Sequence, residues 1–195
     1  YGRVLTEVEK AALLDGWTDR FAVPPSPRSA HAAFASGRLG LGATNIAVAA
    51  GAVLVLPVAR TAPFTLKDGQ RLTVAGAVKG TLGVGAGGVL DLAAAQPTVF
   101  DGLWLRDGGT VRASLGRTAP VALGTFRAEG RPVLELVDVP AKMPATHTLF
   151  TYTGDATLAE GLEWTLEGAS PASRVVVEDG RVTVRTAVGT TVILR

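Results

Sequence analysis

Three carboxylates could do chemistry in this chain if its fold brought them together. Asp91, Asp107 and Glu129 each stand near a glycine turn. A pair of carboxylates facing one groove can cleave a glycosidic bond, one as acid and the other as base or nucleophile. Acidic side chains also gather at turns because they accept hydrogen bonds from local backbone amides, and we read all three as turn residues rather than catalysts. Trp104 and Trp164 offer a second chemistry, since an exposed indole stacks on the apolar face of a pyranose. Each lies in an apolar run, so filling a core is the competing role.

Other chemistries lack material. His31 and His147 are the only histidines and stand in different segments, which leaves no histidine-rich metal site. The absence of cysteine removes disulfides and thiolate ligands together, and no nucleophile elbow is present. Gly83-Val-Gly85-Ala-Gly87-Gly88 has the composition of a phosphate-binding loop. It leads into the strand-like Val89-Leu-Asp-Leu92, not into a helix whose amides would meet a phosphate. A turn with positive φ and close backbone approach is expected there instead. The sequence therefore assigns no catalytic residue, no metal ligand and no cofactor.

Charge narrows the partners. Nineteen lysines and arginines against 17 acidic residues leave a net charge of +2 over 195 residues, scattered along the chain, which is no footprint for nucleic acid. The longest apolar run, Ile46 to Ala59, is broken by Gly51 and Pro57 and falls short of a membrane span, so no membrane insertion is expected. The first residue is Tyr1, and the expectation is a fragment or processed product of a longer protein.

The elements that would position these residues recur. Turn glycines at Gly51, Gly69, Gly88, Gly109 and Gly130 are separated by 18, 19, 21 and 21 residues, and each opens a short run of alternating or continuous apolar residues such as Gly69-Gln-Arg-Leu-Thr-Val74. A drifting period of that size predicts a parallel β-solenoid, in which each coil buries its apolar face only by stacking on the next. With 47% hydrophobic residues, few aromatics and 24 glycines, the composition suits thin, tightly stacked coils. Asp68-Gly69 between alternating runs is a hairpin signal that favours antiparallel strands, and a β-sandwich is the alternative. We therefore expect an all-β protein with a short helix in residues 1–16, where Thr6 and Glu9 form a capping box. A proline- and alanine-rich linker or arm at 17–41 follows, then the solenoid at 42–140. A β-rich cap at 141–195 would close it, with a final turn at Gly180.

Two resemblances extend this reading. Tyr1-Gly-Arg-Val-Leu5-Thr6-Glu-Val-Glu9-Lys-Ala-Ala-Leu13 resembles the end of a laminin-G-like, concanavalin-A-type lectin domain, which implies that most of such a domain would lie upstream. Gly88-Val-Leu-Asp91-Leu92 through Gln96-Pro-Thr98-Val-Phe100, Leu103-Trp-Leu105 and Gly108-Gly109-Thr110-Val111 resembles the autotransporter-associated β-strand repeats of bacterial surface proteins. It departs from that pattern at Pro97 and Trp104. This resemblance implies a passenger-like β-helix displayed outside the cell, and its motif positions are structural. The expected function is a non-enzymatic extracellular or cell-surface structural or adhesive module, a candidate fibre subunit that pairs with copies of itself. The alternative is a carbohydrate-binding module that contacts polysaccharide through Trp104 and Trp164. A polysaccharide-degrading enzyme is the third class, and it requires carboxylates converging in one groove.

Overall fold

The computed structural model describes residues 31–33, 45–56, 63–93, 97–117, 119–140 and 145–186. Among them, in chain order, run strands β1 (His31–Ala33), β2 (Asn45–Val48), β3 (Val53–Val55), β4 (Phe64–Leu66), β5 (Arg71–Val74), β6 (Ala77–Val84), β7 (Val89–Leu92) and β8 (Val99–Leu105). They continue as β9 (Thr110–Ser114), β10 (Val121–Ala128), β11 (Val133–Val137), β12 (Thr146–Tyr152), β13 (Ala156–Leu158), β14 (Thr165–Glu167), β15 (Ser173–Glu178) and β16 (Arg181–Thr186). The described residues contain no helix, and none that could cross a membrane. The helix expected in residues 1–16, with the lectin-like stretch it belongs to, lies outside them.

Alternation makes these strands two-faced. In β5 Leu72 and Val74 are buried while Arg71 and Thr73 are half-buried, and β11 repeats the pattern with Leu134 and Leu136 inside. Six strands form one sheet in the order β14-β11-β9-β7-β5-β2. The other sheet, of ten strands, runs β1-β3-β6-β8-β10-β12-β16-β15, with β4 pairing β6 and β13 pairing β10. From β4 to β12 successive strands alternate between the sheets, and every strand from β1 to β14 meets at least one parallel partner distant in sequence. Leu72 pairs with Leu90, Leu90 with Val111, Val111 with Leu134 and Leu134 with Leu166. In the larger sheet the matching column is Phe64, Leu82, Leu103, Phe126 and Ala156. Columns of like side chains fill the narrow interior, each buried leucine contributing about 1.5–3 kcal/mol.

Antiparallel pairing, which a β-sandwich would use throughout, occurs among the described strands only between β12 and β16 and between β15 and β16. The Asp68-Gly69 turn does not close a hairpin. It joins β4 in one sheet to β5 in the other, with Asp68 at φ 53° and Gly69 at φ 79°. The turn amides reach the next repeat instead: Asp68 N–H donates to Ala86 O (3.2 Å) and Gly69 N–H to Gly87 O (2.8 Å). The turns themselves are therefore stacked and hydrogen-bonded, and a left-handed turn here makes a corner, not a reversal.

Parallel pairing also involves strands outside residues 42–140. His31–Ala33, placed in the linker by the sequence, forms β1 and pairs in parallel with β3. Parallel pairing also continues past Pro140: β12 and β13 lie on β10, and β14 lies on β11. The antiparallel hairpin begins only at Ser173, turns at Asp179-Gly180 and adds to β12.

Candidate functional site

Chemistry-bearing side chains gather on the outer faces of the two sheets. On the six-stranded sheet the positions that alternate away from the leucine columns carry charge. Asp91 is in register with Arg112, and Arg112 with Glu135. Asp91 is 5% exposed and its Oδ2 accepts from Arg71 Nη2 and, at 3.4 Å, from Arg112 Nη1; Arg112 Nε in turn donates to Glu135 Oε1 at 3.2 Å. The other Asp91 oxygen accepts the Ala93 amide at 2.9 Å. Burial alone would raise the Asp91 carboxyl, but the Ala93 amide and the Arg71 and Arg112 guanidiniums outweigh it and hold the group below the usual aspartate range. Glu135, and then Asp91, push Arg112 the other way, above its ordinary value, against the opposing effect of burial. A carboxylate clamped between two guanidiniums is a poor acid or base near neutrality.

Asp107 and Glu129 sit on successive turns at the far end of the repeat. Asp107 Oδ1 accepts the Arg131 amide at 2.9 Å, a turn amide 24 residues on and not one of its own turn. Glu129 accepts Arg106 Nε at 3.0 Å and lies 3.5 Å from Arg127 Nη2. Asp91 is on β7, in the other sheet, so the three carboxylates do not converge in one groove.

Around Glu129 the molecule assembles a cluster that the sequence did not announce. Trp104, on the outer face of β8, is half-buried, and its in-register neighbour on β10 is Arg127. The Arg127 guanidinium carbon lies 4.1 Å from the indole centroid and that of Arg106 4.8 Å from it. Both cations therefore rest on the ring and share one carboxylate. The indole Nε1 is buried and makes no hydrogen bond. Trp104 thus carries guanidiniums on the ring that the carbohydrate-binding alternative assigned to a sugar. A signal existed in Trp104-Leu-Arg106 and Arg127-Ala-Glu129, but joining them requires the β8–β10 register.

The remaining candidates stay apart. Trp164 is half-buried just before β14 and packs on the core. His31 is on β1 and His147 on β12, where burial lowers the imidazole's pKa. In Gly85-Ala-Gly87-Gly88 the two adjacent glycines divide their duties. Gly87 takes φ 71°, whereas a Cβ on Gly88 would stand 2.3 Å from Leu66 O. Gly108 (φ 65°) and Gly109, with a Cβ 2.2 Å from Val84 O, repeat this one turn later. Gly51, Gly69, Gly130 and Gly180 all have positive φ. No group of three or more histidine, aspartate or glutamate side chains among the described residues could hold a metal ion.

Comparison with known proteins brings no neighbour to this arrangement: no family model, no curated protein and no solved structure matches the chain.

Proposed function

We propose that the described strands are coils of a parallel β-solenoid, closed by the C-terminal β-rich cap, and that the chain is a non-enzymatic structural or adhesive module. It would serve as a rigid spacer or display element of a bacterial extracellular or cell-surface protein. The observation that carries this reading is the unbroken relay between turns: Gly69 N–H to Gly87 O, Gly87 N–H to Gly108 O and Gly108 N–H to Arg131 O. Each repeat is bonded to the next through turns as well as strands, which suits a quasi-one-dimensional object whose task is extension. The carboxylates best placed for catalysis support the same view, since Asp91, Asp107 and Glu129 are all engaged in joining one repeat to another. The resemblance of Gly88–Val111 to autotransporter-associated repeats supports placement at the cell surface. Stacked coils can continue across a subunit boundary when their ends are complementary, which makes copies of the chain the natural partner.

Light scattering at micromolar concentration, with electron microscopy of the same sample, tests the assembly part. Filaments or ordered multimers are expected, and compact monomers at every concentration would remove the fibre subunit from the proposal. A reducing-end assay over a polysaccharide panel tests the non-enzymatic part. Turnover that disappears in Asp91→Asn or Glu129→Gln would overturn it.

A further inference from the structure

The Trp104 cluster is more than a coil contact. Its three ionised side chains, Arg106, Arg127 and Glu129, carry a net charge of +1 on the outer face. Their side chains are 43%, 51% and 26% exposed. Each guanidinium presents several N–H donors, and the internal contact to Glu129 uses Nε of Arg106 and Nη2 of Arg127. Stacking on the indole and sharing Glu129 fix both guanidinium planes, so the donors that remain are held in place before any ligand arrives. Planar, preorganised donors of this kind take a carboxylate by paired hydrogen bonds.

The surface around the cluster is rich in hydroxyls. Trp104 is in register with Gly83 on one side and with Arg127 on the other, and Arg127 with Thr157. Thr81, Gly102 and Thr125 form the parallel column beside it. Thr81, Thr125 and Thr157 are exposed, and Gly102 is so closely flanked that a Cβ there would stand 2.8 Å from the hydroxyls of both Thr81 and Thr125. No large exposed apolar side chain stands in either column, so a protein partner would lack the apolar anchor that interfaces are built on.

We propose that this face binds an acidic polysaccharide, the Arg106 and Arg127 guanidiniums taking a uronate carboxylate and the threonine hydroxyls the ring hydroxyls of neighbouring sugar units. The site goes beyond the structural role and does not depend on it, since that role rests on the turn relay.

Isothermal titration with polygalacturonate at low and physiological salt tests the assignment. Binding that weakens as salt rises is expected, with at least tenfold loss of affinity in Arg106→Gln/Arg127→Gln. Arg127→Lys, which keeps the charge but not the planar fork, should lose severalfold. Arg131→Ala, which removes an exposed guanidinium paired with Glu163 outside the cluster, should bind as the unaltered chain does. Thermal melts of each variant confirm folding, and the single variants Arg106→Gln and Arg127→Gln, each expected to lose affinity severalfold, serve if the double variant fails to fold. The proposal is overturned if polygalacturonate does not bind or if its methyl ester binds equally well. Equal binding of polyglutamate, or unchanged affinity in the folded arginine variants, also overturns it.

Discussion

Asp91 on β7 and Arg112 on β9 face each other in register, 3.4 Å apart, with Glu135 next in the column and Arg71 reaching Asp91 from two residues before its in-register neighbour Thr73 on β5. The pair joins two repeats at a position that the leucine columns cannot reach. Its members differ sharply in exposure, 7% for the Asp91 side chain against 34% for that of Arg112.

That asymmetry sets the first prediction. Asp91→Ala removes the shared acceptor and leaves the Ala93 amide and two guanidiniums without it, at a cost of about 2–3 kcal/mol. Arg112→Ala leaves Asp91 still held by Arg71 and Ala93, and should cost under about 1 kcal/mol. Urea unfolding of the two single variants and the double variant measures both values and their coupling. Equal losses would mean that the column acts as a surface network and not through the buried carboxylate.

The turn spacing makes the parallel pairing legible in the sequence, because glycines every 18 to 21 residues match the interval between parallel partners such as Leu72 and Leu90. The apolar positions Leu72, Leu90, Val111 and Leu134 fell into a column for the same reason. Legibility stops where the interval between paired strands lengthens. Val133 pairs with Thr165, 32 residues on, so a reading tuned to a period near 20 ended the repeats at Pro140. The Trp104 cluster is hidden for a related reason: Arg127 reaches the indole only through the β8–β10 register. Which glycine of a pair takes positive φ and which lies against backbone was likewise a property of the stack.

Gly88 and Gly69 separate those two demands. At Gly88 an added methyl group would meet Leu66 O at 2.3 Å, backbone that cannot swing away without parting two turns. At Gly69 nothing lies within 4 Å and only the positive φ opposes a side chain. Gly69→Ala should therefore cost about 1–2 kcal/mol, and Gly88→Ala about 3 kcal/mol or more because overpacking pushes backbone. Thermal denaturation of the two variants gives the order, and a smaller loss at Gly88 would contradict the close approach.

Two groups make stability depend on pH in separate windows. Asp91 has a folded value below its unfolded one, so its contribution is complete above about pH 4 and is lost as pH falls through the lower folded value. Burial depresses His147, so protonation favours the unfolded chain. Its contribution is complete above about pH 6.5 and declines as pH drops toward the folded value. Stability measured in urea should decline first below neutrality and again in strong acid. His147→Gln should remove the first decline alone, and persistence of that decline in the variant would assign it elsewhere.

Phe126 tests how far a disturbance travels. Its ring stacks on Phe150 at 6.4 Å and on Tyr152 at 6.1 Å between centroids, and its strand β10 touches β8 on one side and β12 and β13 on the other. Phe126→Ala should cost about 3–5 kcal/mol by opening a cavity in a narrow core. If repeats interact only with their neighbours, the damage stays near the cavity. Hydrogen exchange should then quicken in β8, β10, β12 and β13 while amides of β2 and β5 keep their protection. Uniform loss across all strands would show that the stack melts as one unit, and that a spacer built from it could not fail one repeat at a time.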